Sequence, residues 1–144
     1  MSLKTLLFFS SLFISCFSQA AEPVFYPSKN VDYPFAEAVA HNGVLYLSGE
    51  IATGKDGKIV SGGIEEQAKQ VMENIRQKLM HHDLAMDSVI KCTVFLADMA
   101  EWPTFNKIYA GYFEAGRYPA RSALAAAGLA LGARLEVECL AALK

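Results

Sequence analysis

In the stretch YPARSALAAAGLALGARLEVECLA, residues 118–141, charged side chains interrupt a run of alanine, leucine and glycine. Arg121 sits near its start, and Arg134, Glu136 and Glu138 sit in its closing segment. A guanidinium offers a planar fork of donors that matches a carboxylate two bonds at a time. A glutamate held in partly dry surroundings can take a proton from a water and position it. A strand period of two puts Arg134, Glu136 and Glu138 on one face and Leu135, Val137 and Cys139 on the other. Leaving the charged face in open water would expose alanine and leucine of the neighbouring run on both sides. Burying that face in an oligomer predicts an anion-binding cleft at a subunit interface, holding Arg121, Arg134 and the glutamates. A structural cluster of salt bridges accounts for the same residues, and the pattern alone leaves both readings open.

The elements that must position these residues are legible as alternation and periodicity. Phe35–Ala40 and Val44–Gly49 alternate around Asn42-Gly43, the strongest short signal for a hairpin. Ile64, Ala68, Val71, Ile75 and Leu79 recur at helical spacing, with Glu65, Lys69, Glu73, Arg76 and Lys78 on a solvated face. The acidic start of that helix suits its dipole. Ile90, Cys92, Val94 and Leu96 alternate with Val89, Lys91, Thr93 and Phe95 as a third strand. Pro103 fits the first turn of a second helix carrying Phe105, Ile108, Tyr109 and Tyr112, aromatics read as core packing. Ala-rich 123–133 has helical propensity, but Gly128, Gly132 and the alternation of 134–139 predict two last strands joined as a hairpin. The order β-β-α-β-α-β-β predicts an α+β fold, one sheet with helices packed on one face.

The first twenty residues carry one lysine, Lys4, then an apolar run from Leu6 to Phe17 and the small residues Ser18 and Ala20. This predicts a cleavable signal peptide over 1–20, cut after Ala20, with a single domain over 21–144 in the periplasm or secreted. The run is too short for a stable membrane anchor, so no membrane association is expected after cleavage. A lipoprotein signal ending at Cys16 fits less well, because Phe13 suits that pattern poorly. The net charge is −2, and removing Lys4 leaves the mature chain at −3. Without a basic stripe, nucleic acid is not an expected partner. Cys92 and Cys139 remain in the mature chain and are read as buried free thiols, with pairing in an exported protein as the alternative. His41, His81 and His82 have no partner at ligand spacing, so no metal is expected.

Tyr118-Pro119-Ala120-Arg121-Ser122 and the alternating strand after it resemble the C-terminal signature of the RidA (YjgF) family. YPFAEAVAHNGVLYLSGEIA is similar to that family's N-terminal hairpin, VMENIRQKLMHHDLAMDSVIKCTVFLADM to its helix-plus-strand core, and FNKIYAGYF to its second helix. The match runs in order from about Tyr33 to Leu143. The resemblance implies a chorismate-mutase-like subunit, a homotrimer with sites between subunits, and no cofactor. It implies hydrolytic deamination of enamines and 2-imino acids, such as 2-aminoacrylate, to 2-keto acids and ammonia. Carried over, Arg121 pairs with the substrate carboxylate, Glu136 positions a water at the imine carbon, and Ser48, Gly49 and Asn106 line the cleft. Glu138, on the face of Glu136, is the alternative for the water-positioning acid.

The chain departs from the family pattern at three positions. The usual cleft cysteine is Ala123, the arm tyrosine is Phe35, and the glutamine after the Ser-Gly turn is Glu50, read as solvent-facing, with repulsion of an anionic substrate as the alternative if it faces in. These departures keep a second function open, a non-catalytic trimer that binds small carboxylates or acts as a chaperone. An endoribonuclease, the third, is disfavoured by the acidic charge and by the lack of a catalytic histidine pair.

Overall fold

The structure is a computed structural model that describes residues 21–143. The expected signal peptide of residues 1–20 and the lipidation site at Cys16 lie outside them. Six strands form one mixed sheet in the order β1-β2-β3-β6-β4-β5. They are β1 (Val24–Pro27), β2 (Ala36–His41), β3 (Val44–Leu47), β4 (Val89–Leu96), β5 (Ala120–Ala125) and β6 (Leu135–Ala142). The helices are α1 (Ile64–His81) and α2 (Trp102–Ala110).

The β2–β3 hairpin forms where the Asn-Gly pair demands it. Asn42 and Gly43 have φ of 48° and 78°, the left-handed pair of a two-residue hairpin turn. The segment before it is more than an arm, because β1 pairs antiparallel with β2 as the edge strand. α1 buries Ala68, Val71, Met72, Ile75 and Leu79 and keeps Glu65 and Glu66 in its first turn. Glu66 reaches back to accept the Gly63 N–H at 2.9 Å, satisfying one free donor at the helix start. Pro103 stands in the first turn of α2, where its missing N–H is harmless.

The expected hairpin between the last two strands is not formed. β5 pairs in parallel with β4, and β6 inserts between β3 and β4, antiparallel to both. β4, α2 and β5 therefore make a βαβ unit, and the glycine-containing stretch 126–134 is a crossing loop. One face of the sheet packs on both helices, with Leu45, Val94, Leu96, Leu135 and Val137 meeting α1 and Phe105 of α2 in the core. The other face bears Tyr46, Leu124 and Glu138, all exposed in a single chain.

Cys92 and Cys139 are not free thiols. β4 and β6 bring them directly opposite one another, and they form a disulfide with Cα atoms 4.2 Å apart. Neighbouring residues of an antiparallel ladder come this close only at pairs without mutual hydrogen bonds, a register that alternation in either strand alone does not show.

Candidate active site

Arg121 projects from the edge strand β5 toward α2. It shares a rung with Cys92, whose side chain lies in the core, so it emerges on the helix-covered face. Its guanidinium carbon lies 4.6 Å from the Trp102 ring centroid and 4.5 Å from that of Tyr109. These rings hold the cation by their quadrupoles and remove much of its freedom. Its Nη2 donates to Asn106 Oδ1 at 2.6 Å. A cleft of about 340 Å³ opens beside it, lined also by Ala110, Tyr118 and Pro119. The Tyr109 hydroxyl is buried and has no hydrogen-bond partner among the described residues. Burial pushes its phenol up to about 12, with Arg121 pulling the other way, so it is a neutral floor for the cation at ordinary pH.

Glu136 belongs to a second cavity, of about 540 Å³. Its carboxylate lies directly over Gly49, so close that a side chain at that position would overlap Glu136 Oε1. Glycine is what admits the carboxylate here. Tyr33 and Phe35 stack at 5.1 Å between centroids and, with Ile51 and Leu131, give the cavity an apolar rim. Phe35 supplies a ring without a hydroxyl. Glu138 is exposed opposite Thr93 and does not line this cavity.

The structure thus brings the expected residues together in two groups, Arg121 with Asn106 and Glu136 with Gly49. The hydroxyl of Ser48 lines neither cleft and donates to the Ala36 carbonyl at 2.7 Å, tying off the β2–β3 pair. Arg134 does not join Arg121 in an anionic cleft, because its Nε donates to Glu101 at 2.7 Å. Glu50, read as solvent-facing, is buried and ion-paired with Lys78 of α1. Its burial raises the carboxyl above its ordinary range; Lys78 pulls it back, while Glu37 and Glu136 add to the rise. Sequence reasoning missed Trp102 and Tyr109 as the seat of Arg121 and missed Lys78. The aromatics did show helical spacing, but the same spacing serves a core. Among the described residues no group of three or more His, Cys, Asp or Glu could hold a metal ion.

Comparison with known proteins places these features in a family. Residues 28–143 match the family model described as Endoribonuclease L-PSP. The chain is 40% identical over 111 residues to Reactive Intermediate Deaminase A, chloroplastic, of Arabidopsis thaliana, covering 76% of this chain and 59% of that protein. It is 38% identical over 109 residues to the human 2-iminobutanoate/2-iminopropanoate deaminase, covering 75% of this chain and 79% of that one. The crystal structure of yeast Mmf1 superposes with a TM-score of 0.74 at 37% identity, over 83% of this chain and 94% of the other.

Proposed function

The chain belongs to the Endoribonuclease L-PSP (RidA) family, and from that premise we propose that it is a hydrolytic deaminase of 2-imino acids and their enamine tautomers. The observation that carries the reading is the Glu136 carboxylate seated over Gly49 in a cavity with an apolar rim. An acid so placed can take a proton from water as its oxygen attacks an imine carbon. In the tetrahedral adduct that proton passes to nitrogen, the hydroxyl proton follows it through the same carboxylate, and the carbon–nitrogen bond breaks as the carbonyl forms, giving a 2-keto acid and ammonia. An enamine first takes a proton at carbon and enters as the imine. Imine hydrolysis is intrinsically easy, so orienting substrate and water is most of what the site must do. Arg121, fixed between two rings and Asn106, is suited to hold the substrate carboxylate.

Arg121 and Glu136 lie on opposite faces of one sheet, so one chain does not join them. A homotrimer, with Arg121 and Asn106 of one copy facing Gly49 and Glu136 of the next, completes the site and covers the exposed sheet face. Ser48 then positions the turn that carries Gly49. The Cys92–Cys139 disulfide and the leader-like residues 1–20 support action in the periplasm or outside the cell, on imino acids made there by amino-acid oxidation. The loss of the arm hydroxyl at Phe35 favours, as a second reading, a trimer that binds carboxylates without turnover. The family description's ribonuclease activity suits this chain less, since its formal net charge is −2, where RNA binding calls for a basic surface.

The test generates 2-imino acids in situ with an amino-acid oxidase and follows imine loss with purified protein. Acceleration that drops about tenfold to hundredfold in Arg121→Ala supports the deaminase. Carboxylate binding with no acceleration over spontaneous hydrolysis shifts the reading to the binding module.

A further inference from the structure

Glu50 follows Gly49, and its backbone pairs with Val137 in both directions, each N–H donating to the other's carbonyl at 2.9 Å. This bridge sets Glu50 against β6 one residue from Glu136. Lys78 reaches from the last turns of α1 to the Glu50 carboxylate, with side chains only 21% and 10% exposed. The pair forms the wall between the Glu136 cavity and an outer cleft, lining both.

The wall has an unusual charge balance. Three carboxylates line the Glu136 cavity, from Glu37 on β2, Glu50 and Glu136, and the one cation among its lining residues is Lys78. His81 Nδ1 stands 4.0 Å from Glu37 and can offset it only when protonated. Lys29, Lys55 and Glu73 line the outer cleft, on the far side of the pair. In a partly dry site one uncompensated unit charge changes the affinity for an anion by about tenfold.

We propose that Lys78 is a specificity-determining residue, which by pairing with Glu50 allows a carboxylate ligand to enter the Glu136 cavity. The identity of that ligand as a 2-imino acid or its 2-keto product rests on the deaminase reading; the charge balance rests on the geometry. Glu50 in the absence of Lys78 is neutral when protonated and, once ionised, becomes an uncompensated anion beside Glu136. Its carboxyl already sits above its ordinary range, so this ionisation falls at higher pH than for a surface glutamate.

The probe is 2-oxobutanoate, with its binding to the assembled protein measured by calorimetry at a lower and a higher pH, the two ends of a series from about pH 5 to about pH 9. Lys78→Met is expected to bind near wild-type strength at the lower pH and about tenfold more weakly at the higher. Glu50→Gln, which frees the Lys78 charge, is expected to bind more tightly at both. The double variant E50Q/K78M is expected to rescue binding at the higher pH. Equal binding by Lys78→Met and wild type at the higher pH overturns the inference, as does a double variant no better than Lys78→Met or a wild type that binds at neither pH. Should Lys78→Met not fold, Glu50→Gln decides: unchanged or weaker binding overturns the inference. A wild type that binds 2-oxobutanoate with this pattern yet accelerates no imine hydrolysis overturns the deaminase reading and leaves the inference standing.

Discussion

Arg121 and Glu136 project from opposite faces of the same sheet, and β4 fixes the relation: Arg121 shares a rung with Cys92, Glu136 with Phe95. Cys92 and Phe95 are three residues apart on one strand, so their side chains point to opposite sides. A site that needs both residues must draw them from two copies. Arg121→Ala and Glu136→Gln should then each lose most of the activity alone, the former about tenfold to hundredfold, yet complement one another. In mixed assemblies formed by co-expression, an interface with Arg121 from one copy and Glu136 from the other arises in about a quarter of sites. Recovery of about that fraction of wild-type imine turnover is the expected outcome. Activity no higher than that of either variant alone, in assemblies shown by mass spectrometry to be mixed, would refute a shared site.

Gly49 is the position where the smallest change should do the most to activity. The atom a Cβ would strike is the end of the Glu136 side chain, which can swing away. Gly49→Ala should therefore fold, with stability changed by no more than about 1 kcal/mol, while misplacement of the carboxylate lowers kcat about a hundredfold. Thermal unfolding together with steady-state kinetics separates the two effects. A loss of fold, or full activity, would contradict the contact's proposed role.

The parts legible in the sequence were those set by local physics. Asn42-Gly43 needs left-handed φ at both residues, and the apolar stripe of α1 is its own signature. What was not legible depended on partners distant in the chain. Gly128 and Gly132 marked a break between β5 and β6, but nothing local told that β4 would lie between them. Alternation pointed Cys92 and Cys139 inward, yet only the β4–β6 register sets them opposite each other. Arg134 shares the parity of Glu136, and a long side chain at the strand's edge instead reached Glu101. Lys78 lies at the border of the stripe, next to Leu79, where one turn of helix separates a solvated lysine from a buried pair.

The Tyr109 ring is a seat for Arg121, and its hydroxyl is buried without a partner. Tyr109→Phe keeps the ring and removes a desolvated polar group. Denaturant unfolding should show stability unchanged or raised by up to about 1 kcal/mol, with Arg121-dependent activity retained. A large loss of stability would reveal a hydrogen bond to that hydroxyl supplied by solvent or by another copy.

The disulfide closes a loop across a sequence separation of 47. Chain-entropy arguments assign such a crosslink about 4 kcal/mol of stabilisation through the unfolded state. Both sulfurs are buried, so thiol reagents should not label Cys92 or Cys139 in the folded, oxidised protein. The double replacement Cys92→Ala/Cys139→Ala should lower unfolding free energy by roughly 2–4 kcal/mol, with the sheet register kept by its hydrogen bonds. Equal stability of wild type and variant under oxidising conditions would show that the crosslink contributes nothing.

Glu50 should write its own signature into stability against pH. Its folded-state carboxyl is raised above the ordinary 4.5, chiefly by burial, so the folded chain holds that proton more tightly than the unfolded one. The resulting stabilisation is fully present below the unfolded value and is lost as pH rises through the folded one. Relative to E50Q/K78M, whose neutral pair cannot titrate, wild type should therefore lose stability as pH climbs from about 4.5. Urea unfolding of both proteins across that range measures the difference directly. A difference that stays flat would mean that the Lys78 ammonium cancels the effect of burial, and one that grows in favour of wild type with rising pH that it outweighs burial.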